Sequence, residues 1–104
     1  MKLRRYEILL PLTYNDGRKI EAVKFLETNK ELREEFGGFA FDTTIVYGIL
    51  VYQGTAYRDK LARFRVDVKH TRKNRRFFKS YKELLKKRFE QEEIWITAMA
   101  IELI

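Results

Sequence analysis

Ala62-Arg63-Phe64-Arg65-Val66-Asp67-Val68-Lys69 alternates apolar and charged residues without a break. Successive side chains of a strand point to opposite faces, so Ala62, Phe64, Val66 and Val68 share one face and Arg63, Arg65, Asp67 and Lys69 the other. A sheet with one covered face and one wet face produces that split. The stretch predicts a strand over 57–69 with a layer of helix on its apolar side.

The flanking sequence supplies the rest of such a unit. Residues 43–53, rich in Thr, Ile, Val and Tyr, read as a strand joined to the first by a turn at Gln53-Gly54-Thr55. Residues 72–90 read as a helix, with Thr71 as its cap. Phe77, Phe78, Tyr81, Leu84, Leu85 and Phe89 recur there at three- and four-residue steps. Ile94 to Leu103 reads as a last strand. Towards the start, Arg5 to Leu12 reads as a strand on which Tyr6, Ile8, Leu10 and Leu12 share a face. Pro11 has no N–H to give a ladder and marks its end. Asn15-Asp16-Gly17 is a turn signal.

Residues 20–36 read as a helix in two pieces. Ile20, Val23 and Leu26 form one apolar face. Thr28-Asn29-Lys30-Glu31 then matches the capping box and marks a restart. Leu32 and Phe36 continue the face, and Gly37-Gly38 stops it. The order strand, helix, strand, strand, helix, strand is the ferredoxin-like βαββαβ unit, an α+β fold. Right-handed crossovers would lay both helices on one face of a four-stranded antiparallel sheet, in a single domain spanning 1–104. The rival is a two-layer α+β arrangement with another strand order.

The chain has 104 residues and no cysteine, which excludes a disulfide framework, a cysteine zinc site, an iron–sulfur cluster and a thiol nucleophile. Charged residues reach 36%, against about 25% in ordinary proteins, a composition that points to a hot environment. The start, Met1-Lys2-Leu3-Arg4-Arg5-Tyr6-Glu7, does not read as a signal peptide. No apolar run approaches the roughly 20 residues that cross a bilayer. These features fit a cytoplasmic protein with no membrane partner.

The net charge of +7 is unevenly spread. Residues 69–88 hold ten basic side chains and a single acid, Glu83, an excess of nine. Residues 89–104 hold four acids, Glu90, Glu92, Glu93 and Glu102, and no base. Arg72, Arg75, Arg76, Lys79, Lys82 and Lys86 repeat at helical spacing opposite the aromatic stripe. Arg72, Lys73, Arg75 and Arg76 fall in the first turn, where the helix dipole prefers acids. Such cations either form a solvated face or meet a polyanion. In the second case Arg72, Lys73, Arg75, Arg76, Lys79 and Lys82 bind nucleic-acid phosphates, of DNA or RNA, without reading sequence.

Other chemistry finds little support. His70 is the only histidine, so neither a histidine pair nor a multi-histidine metal site can form. Asp16, Asp42, Asp59 and Asp67 lie on strands or near their ends. Asp16 or Asp67 could hold Mg²⁺ for a nuclease, although Asn15-Asp16-Gly17 is ordinary turn chemistry. No phosphate loop, dinucleotide fingerprint or serine elbow is present, and no cofactor is implied. The open-face aromatics of an RNA-recognition motif are missing, because Phe64 falls in the core phase. Arg63 and Arg65 are still able to touch phosphates from the open face. The strand around Tyr47, Ile49 and Val51 is apolar on both faces, and so is the last one, with Ile94 and Ile96 opposite Trp95, Met99 and Ile101. Both need a second cover, which predicts a homodimer through the open face or an edge. A small-molecule or protein-partner domain would instead show a cavity lined by tyrosines such as Tyr6, Tyr47 or Tyr52.

Leu10-Pro11-Leu12, Asn15-Asp16-Gly17, Phe36-Gly37-Gly38, Gly54, Tyr57, Asp59, then Arg88-Phe89, Gln91 and Ile94 together resemble a group of small uncharacterised prokaryotic proteins over nearly the whole chain. The resemblance implies a ferredoxin-like domain and no established activity or catalytic residue. It also implies more acidic side chains where this chain has Lys69-His70-Thr71-Arg72-Lys73-Asn74-Arg75-Arg76, so the basic patch belongs to this chain and not to the group. The expectation is a dimeric, non-enzymatic binding module.

Overall fold

The computed structural model describes residues 2–37, 41–52 and 55–104, and the side chains of 2–37 and 60–104. Among the described residues the chain is α+β, with two helices and an antiparallel sheet. The elements run β1 (Lys2–Pro11), α1 (Ala22–Phe36), β2 (Phe41–Tyr52), β3 (Thr55–Lys69), α2 (Arg72–Arg88) and β4 (Trp95–Glu102), and the strands lie in the order β2-β3-β1-β4. The turn residues Gln53 and Gly54, and the second stop residue Gly38, lie outside the described residues. So do the side chains of Asp42, Tyr47, Tyr52 and Asp59.

β1 and β3 take the two interior places, and each buries its apolar phase on the helix side. Tyr6, Ile8 and Leu10 are buried, in register with Val66, Phe64 and Ala62 of β3. Pro11 ends the strand as its missing N–H dictates. Beyond it, Gly17 donates to the Tyr14 carbonyl at 3.0 Å and takes a φ of 90°, which closes the turn around Asn15 and Asp16. The β3 pattern is met in full, with Ala62, Phe64, Val66 and Val68 all in the core.

α1 departs from expectation twice. It is one continuous helix, and Thr28 is no cap. The Thr28 hydroxyl donates to the Lys24 carbonyl one turn back at 2.8 Å and accepts from Arg88 Nη1 at 2.9 Å. The apolar face is also displaced. Val23 and Leu26 are 54% and 67% exposed, while Phe25, Thr28, Leu32 and Phe36 face inward. Ile20 is buried, but it precedes the helix, so it sets no helical phase.

α2 follows its expected register. The Thr71 hydroxyl accepts from the Asn74 amide at 3.1 Å, as a cap should. Phe78, Tyr81, Leu85 and Phe89 are buried, and Leu84 alone of the expected stripe is exposed. Both helices enter the same core cluster as β1 and β3. Phe78 links them, stacked on Tyr6 of β1 at 3.9 Å and on Phe36 of α1 at 5.3 Å between ring centroids.

Candidate nucleic-acid interface

The basic segment divides in two along α2. At the C-terminal half Lys82, Lys86 and Arg88 are engaged within the chain, while Lys87 is exposed. Arg88 lies in the groove between the helices with its side chain 14% exposed, and it grips Glu31 of α1 at 2.6 and 2.9 Å. That guanidinium holds the Glu31 carboxyl below the usual carboxylate range. Tyr81 donates to the same carboxylate at 2.9 Å, and its phenol is pushed well up, by burial first and by Glu31 second. Lys82 pairs with Glu93 at 2.9 Å and lowers that carboxyl. Lys86 lies 3.6 Å from Glu83.

At the N-terminal half the side chains of Arg72, Lys73, Arg75, Arg76 and Lys79 are exposed. None of these five has an acidic partner among the described residues. They crowd the helix end that carries partial positive charge, and no acid stands in the first turn. The backbone beneath them is pinned. Asn74 gives its amide to Thr71 Oγ1 and its Nδ2 to the Lys69 carbonyl at 2.8 Å, so the first turn is tied to the end of β3. The charges sit on a fixed base, which lowers the ordering cost of meeting a ligand.

Arg4, not anticipated from the sequence, joins this end. Its guanidinium lies 2.8 and 3.2 Å from the two ring nitrogens of His70, just before the helix. The signal was the register that sets Arg4 opposite Val68, two residues before His70, which sequence pattern cannot supply. Of the six residues predicted to contact phosphate, five stand together and free of acids among the described residues. Lys82 is engaged by Glu93.

The other candidates fall elsewhere. Asp16 Oδ2 accepts from Arg18 Nε at 2.7 Å and its Oδ1 accepts the Arg18 amide, which hold the carboxyl down and make it part of the turn. Asp67 is held in a fork by Arg5 at 2.8 and 3.0 Å. Asp67 is opposite Arg5, whereas Asp16 follows the far end of β1, so the two carboxylates do not converge. No group of three metal-ligating side chains occurs among the described residues. On the open face Arg65 lies 3.4 Å from Glu7. Tyr6 is buried and stacked on Phe78.

No helix among the described residues is long and apolar enough to cross a membrane. No family model matches the chain, and no curated protein matches it. Among solved structures it is similar to a phage SAM lyase in complex with S-methyl-5'-thioadenosine. The identity is 9% and the TM-score 0.63, over 97% of this chain and 90% of that one. At this identity the likeness is one of fold.

Proposed function

We propose that the chain is a ferredoxin-like, dimeric, non-enzymatic module that holds a nucleic-acid backbone, DNA or RNA, against the N-terminal half of α2. The reading rests on one observation: Arg72, Lys73, Arg75, Arg76 and Lys79 are displayed together, without acidic partners among the described residues, where the helix dipole opposes them. A phosphate backbone relieves that repulsion and releases its own counterions. The contacts go to phosphates, so one sequence is held as well as another. Arg4 and Lys69 extend the surface, and Lys82 enters only if Glu93 lets go.

The test is fluorescence polarisation with a mixed-sequence duplex across a salt series. If all five side chains meet phosphate, log K falls against log salt with a slope of about −4.5. Arg75→Glu with Arg76→Glu lowers that slope and the affinity for every sequence alike. No binding at about 50 mM salt ends the reading.

A second reading takes its support from the fold shared with the phage SAM lyase, whose bound ligand is a thionucleoside. On this reading the chain binds S-adenosylmethionine or its thioadenosine product. Incubation with S-adenosylmethionine, followed for release of S-methyl-5'-thioadenosine, decides it. Absence of product, together with an unchanged melting temperature in S-methyl-5'-thioadenosine, removes it.

A further inference from the structure

We propose that β4 is the dimer edge, where the β4 of a second copy pairs antiparallel to make one sheet continuous through both chains. This rests on the dimeric half of the reading above and is independent of the phosphate half.

Among the described residues β4 pairs with β1 on one side only, and it ends the strand order. Edge strands are normally protected by lysines, prolines or bulges, because their free N–H and C=O groups recruit other strands. β4 has none of these over Trp95-Ile96-Thr97-Ala98-Met99-Ala100-Ile101, an uncharged run in a chain that is 36% charged. Its surface is open on both faces. Trp95 and Met99 are each 46% exposed on the side away from the helices, and Ala98 and Ala100 are exposed on the side of the helices. A strand that keeps water only by leaving these groups bare has a use for another strand.

Charge identifies that strand as this chain's own. Two copies at +7 repel, and the basic half of α2 keeps them apart everywhere it faces. The approach to β4 is different, since residues 89–104 carry acids only. The ends of β4 also differ in sign. Glu92, exposed and without a basic partner among the described residues, precedes the strand. Lys2 and Arg4 of β1 flank its far end, where Lys2 pairs in register with Glu102 and Arg4 with Ala100. Antiparallel pairing brings the start of each β4 to the end of the other. Glu92 of one copy then comes towards Lys2 of the other, twice over about the two-fold axis. That axis is perpendicular to the sheet, so both helical layers fall on one side. The two basic halves of α2 then face the same way, as a single polyanion requires.

The oligomeric state of the full chain is the test, read by native mass and sedimentation at micromolar concentration. The expected species is a dimer. Thr97→Lys with Met99→Lys puts like charges across the two-fold axis and should give a folded monomer, checked by circular dichroism. Glu92→Lys should weaken the dimer about tenfold or more, and adding Lys2→Glu should restore it. A monomer at high micromolar concentration overturns the proposal. So does a dimer that survives Thr97→Lys with Met99→Lys, which would place the contact elsewhere. A dimer that obeys these substitutions but ignores duplex DNA and RNA supports this interface and removes only the phosphate reading.

Discussion

Arg88 separates a count of charges from a charged surface. It belongs by sequence to the basic run, yet it is taken out of it by Glu31, Thr28 and Glu27, all on α1. The partly buried guanidinium and carboxylate are kept as ions because each supplies the other's partner. The Glu31 carboxyl is lowered by Arg88, so its contribution is complete above the unfolded value of about 4.3 and is lost as pH falls through the lower folded value. The melting temperature of Glu31→Gln should therefore trail the wild type most at neutral pH, and the gap should close in acid. A gap that does not change with pH would mean that the charge on Glu31 adds nothing. Thr28→Val keeps the shape but removes the acceptor for Arg88 and the bond to the Lys24 carbonyl. It should cost about 2 kcal/mol in urea unfolding, roughly one for each of the two hydrogen bonds lost. None of this was legible in Thr28-Asn29-Lys30-Glu31. The residue types fit a cap, and the partner that gives them another task lies 60 residues away in the chain.

The two helices show when an element can be read from its own residues. α2 was legible because one long stripe, Phe77 to Phe89, fixes its phase, and Thr71 stands where a cap must. In α1 the extent, the inward Leu32 and Phe36 and the stop at Gly37 were legible, but the face of its first turns was not, because Ile20 is apolar for the sake of the loop before the helix. It drew the expected face towards Val23 and Leu26, which are exposed. The basic half of α2 also carries a stability consequence. Each exposed cation near a helix N-terminus costs roughly 0.3–1 kcal/mol. Arg75→Glu with Arg76→Glu should therefore raise the melting temperature, and it should make that temperature less dependent on salt. The same double substitution should take about 1.8 from the magnitude of the salt slope for duplex binding. Stability gained and binding lost through the same two side chains is the expected mark of a functional site. If the variant binds as the wild type does and is only more stable, the cations are a solvated face.

At the scale of the molecule, the alternation in β3 told which residues enter the core but not which strand lies beside it. Arg5–Asp67 and Glu7–Arg65 span the open face only because β1 and β3 are neighbours, a pairing between distant segments that no local pattern encodes. The core that results has one centre. Phe78 touches Tyr6 of β1 and Phe36 of α1, so Phe78→Ala loosens three elements at once and should cost about 3–5 kcal/mol. Such a core covers one face of the sheet and leaves β4 at its margin, with Trp95 and Met99 half exposed. If two copies join there, the native state is stabilised by its own concentration, because only folded chains present the edge. The melting temperature of the wild type should then climb with each tenfold rise in protein concentration. That of Thr97→Lys with Met99→Lys should stay level, at or near the wild-type value in dilute solution. Equal, flat melting curves for both chains would mean that the edge stays bare and that the exposed tryptophan and methionine face water alone.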